Sequence, residues 1–210
     1  KQIHGKQLSY NNYNDIFSAL TISRSLPKGK GTVIVKHANP CGVSTKKDNL
    51  ESYKSALLCD PVSAFGGIVS CNFKITKNIA VELNKLFLEV IIGTGFNKES
   101  LEILKKKQNL RLIDASKLKQ INNLNVNSNF DSLLLQTLDD KIFNKENFKV
   151  VSKIKPTKKV FDDLLFAFNI CRNVKSNAIV LTKNSTTIGI GSGQPSRLDS
   201  CKIAIDKMKK

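Results

Sequence analysis

Short apolar runs and helical patterns alternate along the first 113 residues of the chain. Four runs have the Val, Ile and Leu content that is typical of buried strands. They are residues 32–35, 68–69, 90–92 and 110–113. Between them, apolar residues recur at helical spacing, in two cases after the capping residues Asp48 and Thr76. This alternation predicts an α/β layered domain.

Two of the predicted helices have an apolar face that should point into a core. The helix after Thr76 is expected to bury Ile79, Leu83, Leu86 and Phe87. A longer helix that begins at Thr157 is expected to bury Val160, Leu164, Phe168 and Cys171.

Residues 117–129 are rich in Asn and lack periodicity, which indicates a linker or an excursion between residues 1–116 and residues 130–210. Two short apolar runs after it, residues 133–135 and 148–151, are candidate strands. The remaining predicted elements are paired strands at 178–181 and 187–190 and a last helix that begins near Asp199.

The composition is that of a globular protein: of 210 residues, 40% are hydrophobic and 24% are charged. No apolar run reaches the roughly 18 residues that a membrane span needs, and the first residues have no signal-peptide pattern. The five cysteines are widely spaced and form no Cys-x-x-Cys pair, which favours a reducing compartment over a disulfide framework. We therefore expect a cytoplasmic protein with no membrane partner.

The net charge is +17, from 34 Lys and Arg against 17 Asp and Glu. Such a charge is typical of proteins that bind nucleic acids or anionic substrates. Here the basic residues are mostly lysines, scattered along the chain without interleaved aromatics. This favours a general compositional bias towards Lys, Asn and Ile, together with a phosphate-bearing small molecule, over a nucleic acid. A non-catalytic module that binds nucleotides or RNA is the alternative hypothesis.

Lys36 and His37 follow the first predicted strand and are the candidate catalytic pair. Neighbouring residues on a strand point to opposite faces, so both can serve one site only where the strand ends and the backbone turns. Residues 37–42 are predicted as a tight loop whose turn is supplied by Asn39-Pro40, with Asn39 extended because a proline follows it. An imidazole beside an ammonium suits general acid–base catalysis. The alternative is a surface lysine next to a histidine that is held by a local hydrogen bond.

The sequence Asn39-Pro40-Cys41-Gly42, with His37 nearby, is similar to the Pro-Cys loop of zinc nucleoside deaminases. Those enzymes need His-x-Glu and Cys-x-x-Cys. Asn39 stands here in place of the glutamate, and Ser44 in place of the second cysteine. Because the base and one ligand are missing, we expect no metal site.

Three further segments hold groups that suit a binding site. Residues 60–67 combine Asp-Pro, Phe65 and two glycines, which let a backbone approach a ligand; the alternative is a helix-to-strand connection. Asn177 can orient a polar substrate group, or it belongs to a polar turn that ends a helix. Arg197 follows a Gly-rich stretch and suits a phosphate or carboxamide, or it is simply solvated.

Taken in order, these segments resemble one family, and the matching motifs extend over nearly the whole chain. They are Lys36-His37-Ala38-Asn39-Pro40-Cys41-Gly42, residues 60–67, Phe87-Leu88-Glu89-Val90-Ile91-Ile92, residues 106–112, Val174-Lys175-Ser176-Asn177-Ala178-Ile179-Val180 and residues 189–200. The order is similar to that of the AICAR transformylase domain of the bifunctional purine-biosynthesis protein.

The resemblance implies transfer of a formyl group from 10-formyltetrahydrofolate to the amine of AICAR, which gives formyl-AICAR on the route to IMP. It implies a cytidine-deaminase-like fold of two related α/β subdomains, with helices packed on mixed sheets and no catalytic zinc. It also implies a homodimer with shared sites and no nucleic-acid partner.

The family's functional residues carry over by position. Lys36 and His37 are expected to transfer protons, and Asn177 to orient the reacting centre. Arg197 is expected to contact the nucleotide. The residues expected to line the ligand are Ser63, Phe65, Gly66 and Glu89. The separate roles of Lys36 and His37 stay open.

The chain departs from the family pattern at three places. Gly93-Thr94-Gly95-Phe96 stands where Ala-Pro-Asp-Phe is usual, and Arg172-Asn173 stands where Lys-His is usual. Pro195 follows Gln194 where Met or Gln is common. The resemblance implies that residues 1–116 are the first subdomain and residues 130–210 the start of a truncated second one. The chain is then an internal piece of the bifunctional protein, with the IMP cyclohydrolase domain outside it, and is expected to lack groups that complete the site.

Overall fold

The structure, a computed structural model, describes residues 1–118, 124–139, 143 and 145–209. The described residues form two compact units. The larger unit comprises Lys1–Ser116 and the chain from Pro156 onward, and the smaller unit is Lys117–Lys155.

Within the described residues, the larger unit contains a six-stranded mixed sheet. Its strands are β1 (Gln2–His4), β2 (Gly31–Lys36), β3 (Asn39–Thr45), β4 (Gly67–Cys71), β5 (Leu88–Gly93) and β6 (Arg111–Asp114). They lie in the order β1-β6-β5-β4-β2-β3, with β4, β5 and β6 parallel. β2 is antiparallel to both of its neighbours, and β1 is antiparallel to β6. The α/β class and the four strands predicted from the apolar runs are confirmed.

Helices lie on both faces of this sheet. They are α1 (Tyr10–Ser25), α2 (Asn49–Cys59), α3 (Pro61–Ala64), α4 (Lys77–Asn84) and α5 (Lys98–Leu104). The alternation of side chains along β2 explains the two layers. Val33 and Val35 pack in the core that contains α1, whereas Ile34 packs in the core that contains α2. All three side chains are fully buried, and each such burial contributes roughly 1.5–3 kcal/mol.

Asp48 and Thr76 occupy the predicted N-cap positions, but only Asp48 makes a capping hydrogen bond. Asp48 precedes α2, and its Oδ1 accepts a hydrogen bond from the Glu51 amide at 2.7 Å. Thr76 precedes α4, but its side chain makes no capping hydrogen bond. The prediction that Phe87 faces inward is wrong: the residue is 53% exposed, because α4 ends at Asn84 and leaves Phe87 outside the helix.

The smaller unit contains a β-hairpin. Its strands are β7 (Leu124–Asn129) and β8 (Ser132–Thr137), which pair antiparallel and expose every residue. β8 confirms the strand predicted at 133–135. β7 lies inside the segment 117–129 that was predicted as a linker or excursion, of which residues 119–123 fall outside the described residues. A 3-10 turn covers Lys145–Asn147, and the residues 148–151 that were a candidate strand are not in one.

The chain returns to the larger unit at Pro156. It forms α6 (Lys158–Cys171), β9 (Ile179–Thr182), β10 (Thr187–Gly191) and α7 (Arg197–Met208), with β9 and β10 antiparallel. These elements confirm the helix start at Thr157, the paired strands and the last helix. No helix among the described residues combines the length and apolar character needed to cross a bilayer.

The buried side of α6 differs from the predicted one. Val160, Leu164 and Phe168 are 48%, 54% and 47% exposed, whereas Ile170 is fully buried and Phe166 packs against the core that contains α1. The helix is apolar on more than one stripe, so its periodicity alone did not select the stripe that the core covers.

The order helix, strand, strand, helix occurs twice in the larger unit, as α1-β2-β3-α2 and as α6-β9-β10-α7. A glycine lets the second helix lie against the hairpin in both cases. A Cβ on Gly42 would be 1.9 Å from the Ala56 carbonyl oxygen, and a Cβ on Gly189 would be 2.1 Å from that of Ala204. This likeness supports two related halves, while the assignment of residues 130–210 as a second subdomain and the cytidine-deaminase-like fold stay predictions.

A seam, formed by Val43 of β3 and Thr187 of β10, joins the two halves. The Val43 amide donates to Thr187 Oγ1 at 2.9 Å, and the Thr187 hydroxyl donates to the Val43 carbonyl oxygen at 3.2 Å. Both hydrogen bonds are buried, so they are shielded from competition with water.

Candidate active site

The hairpin between β2 and β3 carries the Lys36-His37 pair. Lys36 is the last residue of β2, and His37 and Ala38 form the turn with φ of 52° and 57°. A short turn with both residues in the left-handed region matches the twist of the strands that it joins. The pair therefore lies where a strand ends and the backbone turns, as predicted.

The residues that make this turn differ from the prediction. Asn39 and Pro40 belong to β3, where they lie opposite Lys36 and Val35. The tight loop predicted for residues 37–42 is therefore wrong beyond Ala38, and Asn39-Pro40 does not supply the turn. The extended conformation predicted for Asn39 is confirmed, because the residue is in a strand.

Lys36 contacts the segment that connects α3 to β4. Its Nζ donates a hydrogen bond to the Phe65 carbonyl oxygen at 2.6 Å. Gly66 follows with φ 71°, and its amide donates to the Phe87 carbonyl oxygen at 2.8 Å. The Phe65 and Phe87 rings are tilted against each other with centroids 5.2 Å apart. Lys36, Phe65 and Gly66 thus form one cluster with Phe87, a residue predicted to lie in the core.

Ser63 is held on α3 by Asp60. The Ser63 amide donates to Asp60 Oδ1 at 3.0 Å, and Asp60 Oδ2 lies 2.6 Å from Lys207 Nζ on α7. Burial alone would raise the pKa of Asp60, but hydrogen bonds from Lys207 and Ser63 outweigh it and lower the pKa below its usual range. The ionised Asp60 carboxylate therefore fixes the start of α3, and with it the position of Ser63 and Phe65.

The cysteines near this cluster are buried and protonated at neutral pH. Burial, and then the charge of Asp60, raise the pKa of Cys41 to about 12. Burial raises the pKa of Cys59 to about 11. Since the thiolate is the reactive form, neither residue suits a nucleophilic role. In the described part of the chain, no three His, Cys, Asp or Glu side chains are grouped so that they could hold a metal ion.

Glu89 lies at the start of β5, two residues after Phe87. Its Oε2 accepts a hydrogen bond from Asn12 Nδ2 at 2.8 Å and lies 3.4 Å from Arg111 Nη1. Asn12 is buried and belongs to the capping box at the start of α1. Glu89 is thus fixed in place while 42% of its side chain stays exposed.

Asn177 lies just before β9 and is tied to the loop that precedes α7. Its backbone amide and its Nδ2 donate to the Gln194 carbonyl oxygen at 2.9 and 3.0 Å, and Nδ2 also donates to that of Pro195 at 2.8 Å. Among the described residues, no hydrogen bond is directed at Oδ1 of Asn177. Arg197 is the first residue of α7 and is exposed.

Asn39 links the hairpin of Lys36 and His37 to the segment that holds Asn177. Its Oδ1 accepts a hydrogen bond from the Lys175 amide at 3.1 Å, two residues before Asn177. Within the described residues, neither Asn177 nor Arg197 is hydrogen-bonded directly to Lys36 or His37. The structure therefore brings Lys36, Phe65 and Gly66 into contact, and connects Asn177 to their hairpin through Asn39.

Asp15 of α1 also belongs to the site, although no motif in the sequence marks it. Its Oδ2 accepts a hydrogen bond from the His37 amide at 3.0 Å, and its Oδ1 accepts one from the Ala38 amide at 2.7 Å. No local pattern connects Asp15 with a turn 22 residues later. An internal comparison could have found it, because Asp163 on α6 holds the turn between β9 and β10 in the same way.

Comparison with known proteins places the chain in a family. It matches the family described as AICARFT/IMPCHase bienzyme over residues 1–207. It is also similar to proteins named bifunctional purine biosynthesis protein PurH. The Bacillus cytotoxicus protein is 44% identical over 208 residues, which are 99% of this chain and 40% of that protein. The Acetivibrio thermocellus protein is 41% identical over 212 residues, covering 98% of this chain and 40% of that protein.

A third relative, from Rhodospirillum rubrum, bears the same name and is 44% identical over 206 residues, covering 97% of this chain and 39% of that protein. The chain thus spans about 40% of the length of the curated relatives that it matches. The resemblance inferred from the order of the motifs is confirmed: this chain belongs to the AICARFT/IMPCHase bienzyme family.

Proposed function

We propose that the protein carrying this chain transfers the formyl group of 10-formyltetrahydrofolate to the exocyclic amine of AICAR, in the biosynthesis of purines through IMP. The observation that carries the proposal is the family match over residues 1–207, which includes every candidate site residue. The proposal extends to a cytoplasmic homodimer whose subunits share the site, and to an IMP cyclohydrolase activity elsewhere in the same protein.

The reaction needs proton transfer at two nitrogens. The amine of AICAR is a poor nucleophile, because its lone pair is delocalised into the ring that bears the carboxamide. Its attack on the formyl carbon creates an oxyanion, and the attacking nitrogen loses a proton. The folate nitrogen then leaves and gains a proton. A base and a cationic hydrogen-bond donor beside the formyl group meet these needs.

The contacts of the Lys-His pair support separate roles for its two members. His37 is exposed, and no described residue makes a hydrogen bond to its ring. This leaves the imidazole able to accept the proton of the amine. Lys36 donates to the Phe65 carbonyl oxygen and so keeps its ammonium next to Gly66. From there it stabilises the oxyanion and supplies the proton that the folate nitrogen gains.

The other candidate residues hold the two substrates. Asn177 orients the reacting centre through Oδ1, because Nδ2 is already engaged by Gln194 and Pro195. The exposed Phe65 ring offers a flat surface for a heterocycle, beside Ser63 and Gly66. Glu89 accepts hydrogen bonds from ring or amino N–H groups. Arg197, exposed at the start of α7, contacts the nucleotide phosphate.

The test is formyltransferase activity of the whole protein with AICAR and 10-formyltetrahydrofolate. Lys36→Ala and His37→Ala should each lower kcat/KM by about 10²–10⁴-fold, the usual contribution of a positioned acid or base. Lys183→Ala is the matched control, because Lys183 precedes the turn between β9 and β10 as Lys36 precedes the first turn. It should stay within about twofold of wild type.

Wild-type turnover in both site variants would refute the assignment of the pair. A wild-type protein without turnover, which binds RNA in a salt-sensitive manner and does not bind AICAR, would refute the transferase and favour the nucleic-acid module.

A further inference from the structure

The carboxylate of Asp15 holds both residues of the turn that presents His37. Each carboxylate oxygen accepts one backbone amide, at 3.0 Å from His37 and at 2.7 Å from Ala38. Hydrogen bonds to a carboxylate are shorter and stronger than those between neutral groups. The pair of bonds therefore fixes the turn relative to α1, a helix whose Ile16 and Ala19 are buried in the core.

The turn needs such support because its conformation is unfavourable for its sequence. His37 and Ala38 have φ of 52° and 57°, and residues with a Cβ rarely adopt this left-handed region. Both turn residues also present their amides to the same side, where a single carboxylate can accept from both. Without that acceptor, the backbone that carries the imidazole is free to relax to other turn conformations.

The second half of the larger unit contains the same arrangement without a Lys-His pair. Asp163 Oδ2 accepts from the Asn184 amide at 2.9 Å, and Oδ1 accepts from the Ser185 amide at 2.7 Å. Asn184 and Ser185 have φ of 54° and 55°. Asp15 and Asp163 each follow the first residue of their helix, Tyr10 and Lys158, by five positions. A helix carboxylate that accepts both turn amides is thus a repeated part of the fold. The two copies differ in the residues that the turn presents.

We propose that Asp15 is a positioning residue for His37: it holds the left-handed turn so that the imidazole reaches the amine of the substrate. This inference rests on the proposed formyl transfer for its catalytic consequence, but the fixing of the turn is independent of it. Asp15 itself makes no contact with the reacting atoms and acts only through the backbone of His37 and Ala38.

The test compares Asp15→Asn with Asp163→Asn in the whole protein. Each substitution replaces one acceptor oxygen by an NH₂ group and should lower the melting temperature by a similar amount. Asp15→Asn should lower kcat at least tenfold while KM for AICAR stays within about twofold, because the substrate still binds but the base is displaced. Asp163→Asn should keep kcat within about twofold of wild type. Asp15→Glu, which restores a carboxylate, should recover part of the kcat.

Hydrogen–deuterium exchange over residues 34–41 is the readout that needs no activity. Asp15→Asn should speed exchange in this segment, and Asp163→Asn should leave it unchanged. If the wild type has no formyltransferase activity, the proposed function fails, while this pattern of exchange would still support the fixing of the turn. Unchanged exchange in Asp15→Asn, or equal losses of kcat in both Asn variants, would overturn the positioning role.

Discussion

Replacing Lys207 with Met should speed the chemical labelling of Cys59 in the native protein by about 30-fold. Lys207 Nζ lies 2.6 Å from Asp60 Oδ2, so the pair connects α7 to the end of α2. Cys59 is the last residue of α2, immediately before Asp60, and is 3% exposed. A reagent reaches its thiol only when this region opens.

The magnitude follows from how deeply each partner is buried. The side chains of Asp60 and Lys207 are 9% and 32% exposed. Removing one partner of a fully buried pair costs about 3–5 kcal/mol, and a net hydrogen bond to a charged group is worth about 1.5–3 kcal/mol. Because Lys207 is partly solvated and Asp60 keeps its bond to the Ser63 amide, we expect about 2 kcal/mol. At about 1.4 kcal/mol per tenfold, this is a factor of about 30 in the opening equilibrium.

The assay is alkylation of the folded protein, followed by mass spectrometry of the peptide that contains Cys59. Lys202→Met is the matched control, because its ammonium lies 3.7 Å from Asp199 and both side chains are more than half exposed. An exposed pair of this kind contributes about 0–1 kcal/mol and does not hold α2, so the control should label at nearly the wild-type rate. Equal labelling rates in the two variants would refute the energetic role of the Asp60–Lys207 pair.

The same pair predicts the direction of a pH effect. The folded-state pKa of Asp60 is lowered, so its stabilisation is fully present above the unfolded value of about 3.9 and is lost as the pH falls through the folded value. The ratio of labelling rates should therefore be the same at pH 6 and pH 8. The difference in melting temperature between wild type and Lys207→Met should shrink below about pH 4.

Two further predictions concern packing and burial. Gly42→Ala should destabilise the whole protein to urea by about 1–3 kcal/mol, because its Cβ would lie 1.9 Å from the Ala56 carbonyl oxygen and α2 would have to move; wild-type stability would contradict this packing. Burial raises the pKa of Cys71 to about 12, whereas an unfolded thiol ionises near 8.5, so its stabilisation is complete below about pH 8.5 and declines as the pH rises. Wild type should therefore lose stability more steeply than Cys71→Ala between pH 8.5 and 11, and equal slopes would refute this.

The part of the fold that the sequence could predict is encoded locally. An apolar run predicts β2, and the cap at Asp48 predicts α2. Each of these signals occupies about ten residues or fewer. α6 shows the limit of such signals: its sequence has more than one apolar stripe, and only the tertiary contacts of Phe166 and Ile170 select the buried one.

Predicting the candidate site from the sequence required information of a different kind. The order of the motifs indicated Lys36, His37 and Asn177, because a family pattern records which distant residues work together. The contacts that arrange them were not predictable from local pattern. Asn39 meets Lys175 across 136 positions and Asp15 meets His37 across 22, and both contacts exist only once the helices and sheet have packed.

The seam between β3 and β10 also bears on where the chain tolerates an insertion. Val43 and Thr187 are 144 positions apart, and the stretch between them includes the whole of the smaller unit, residues 117–155. The entropy of closing such a loop grows only with the logarithm of its length, so that doubling the loop costs about 0.6 kcal/mol. A reporter domain or affinity tag inserted between residues 117 and 155 would therefore weaken the seam little, which makes this stretch the natural place for engineering the protein.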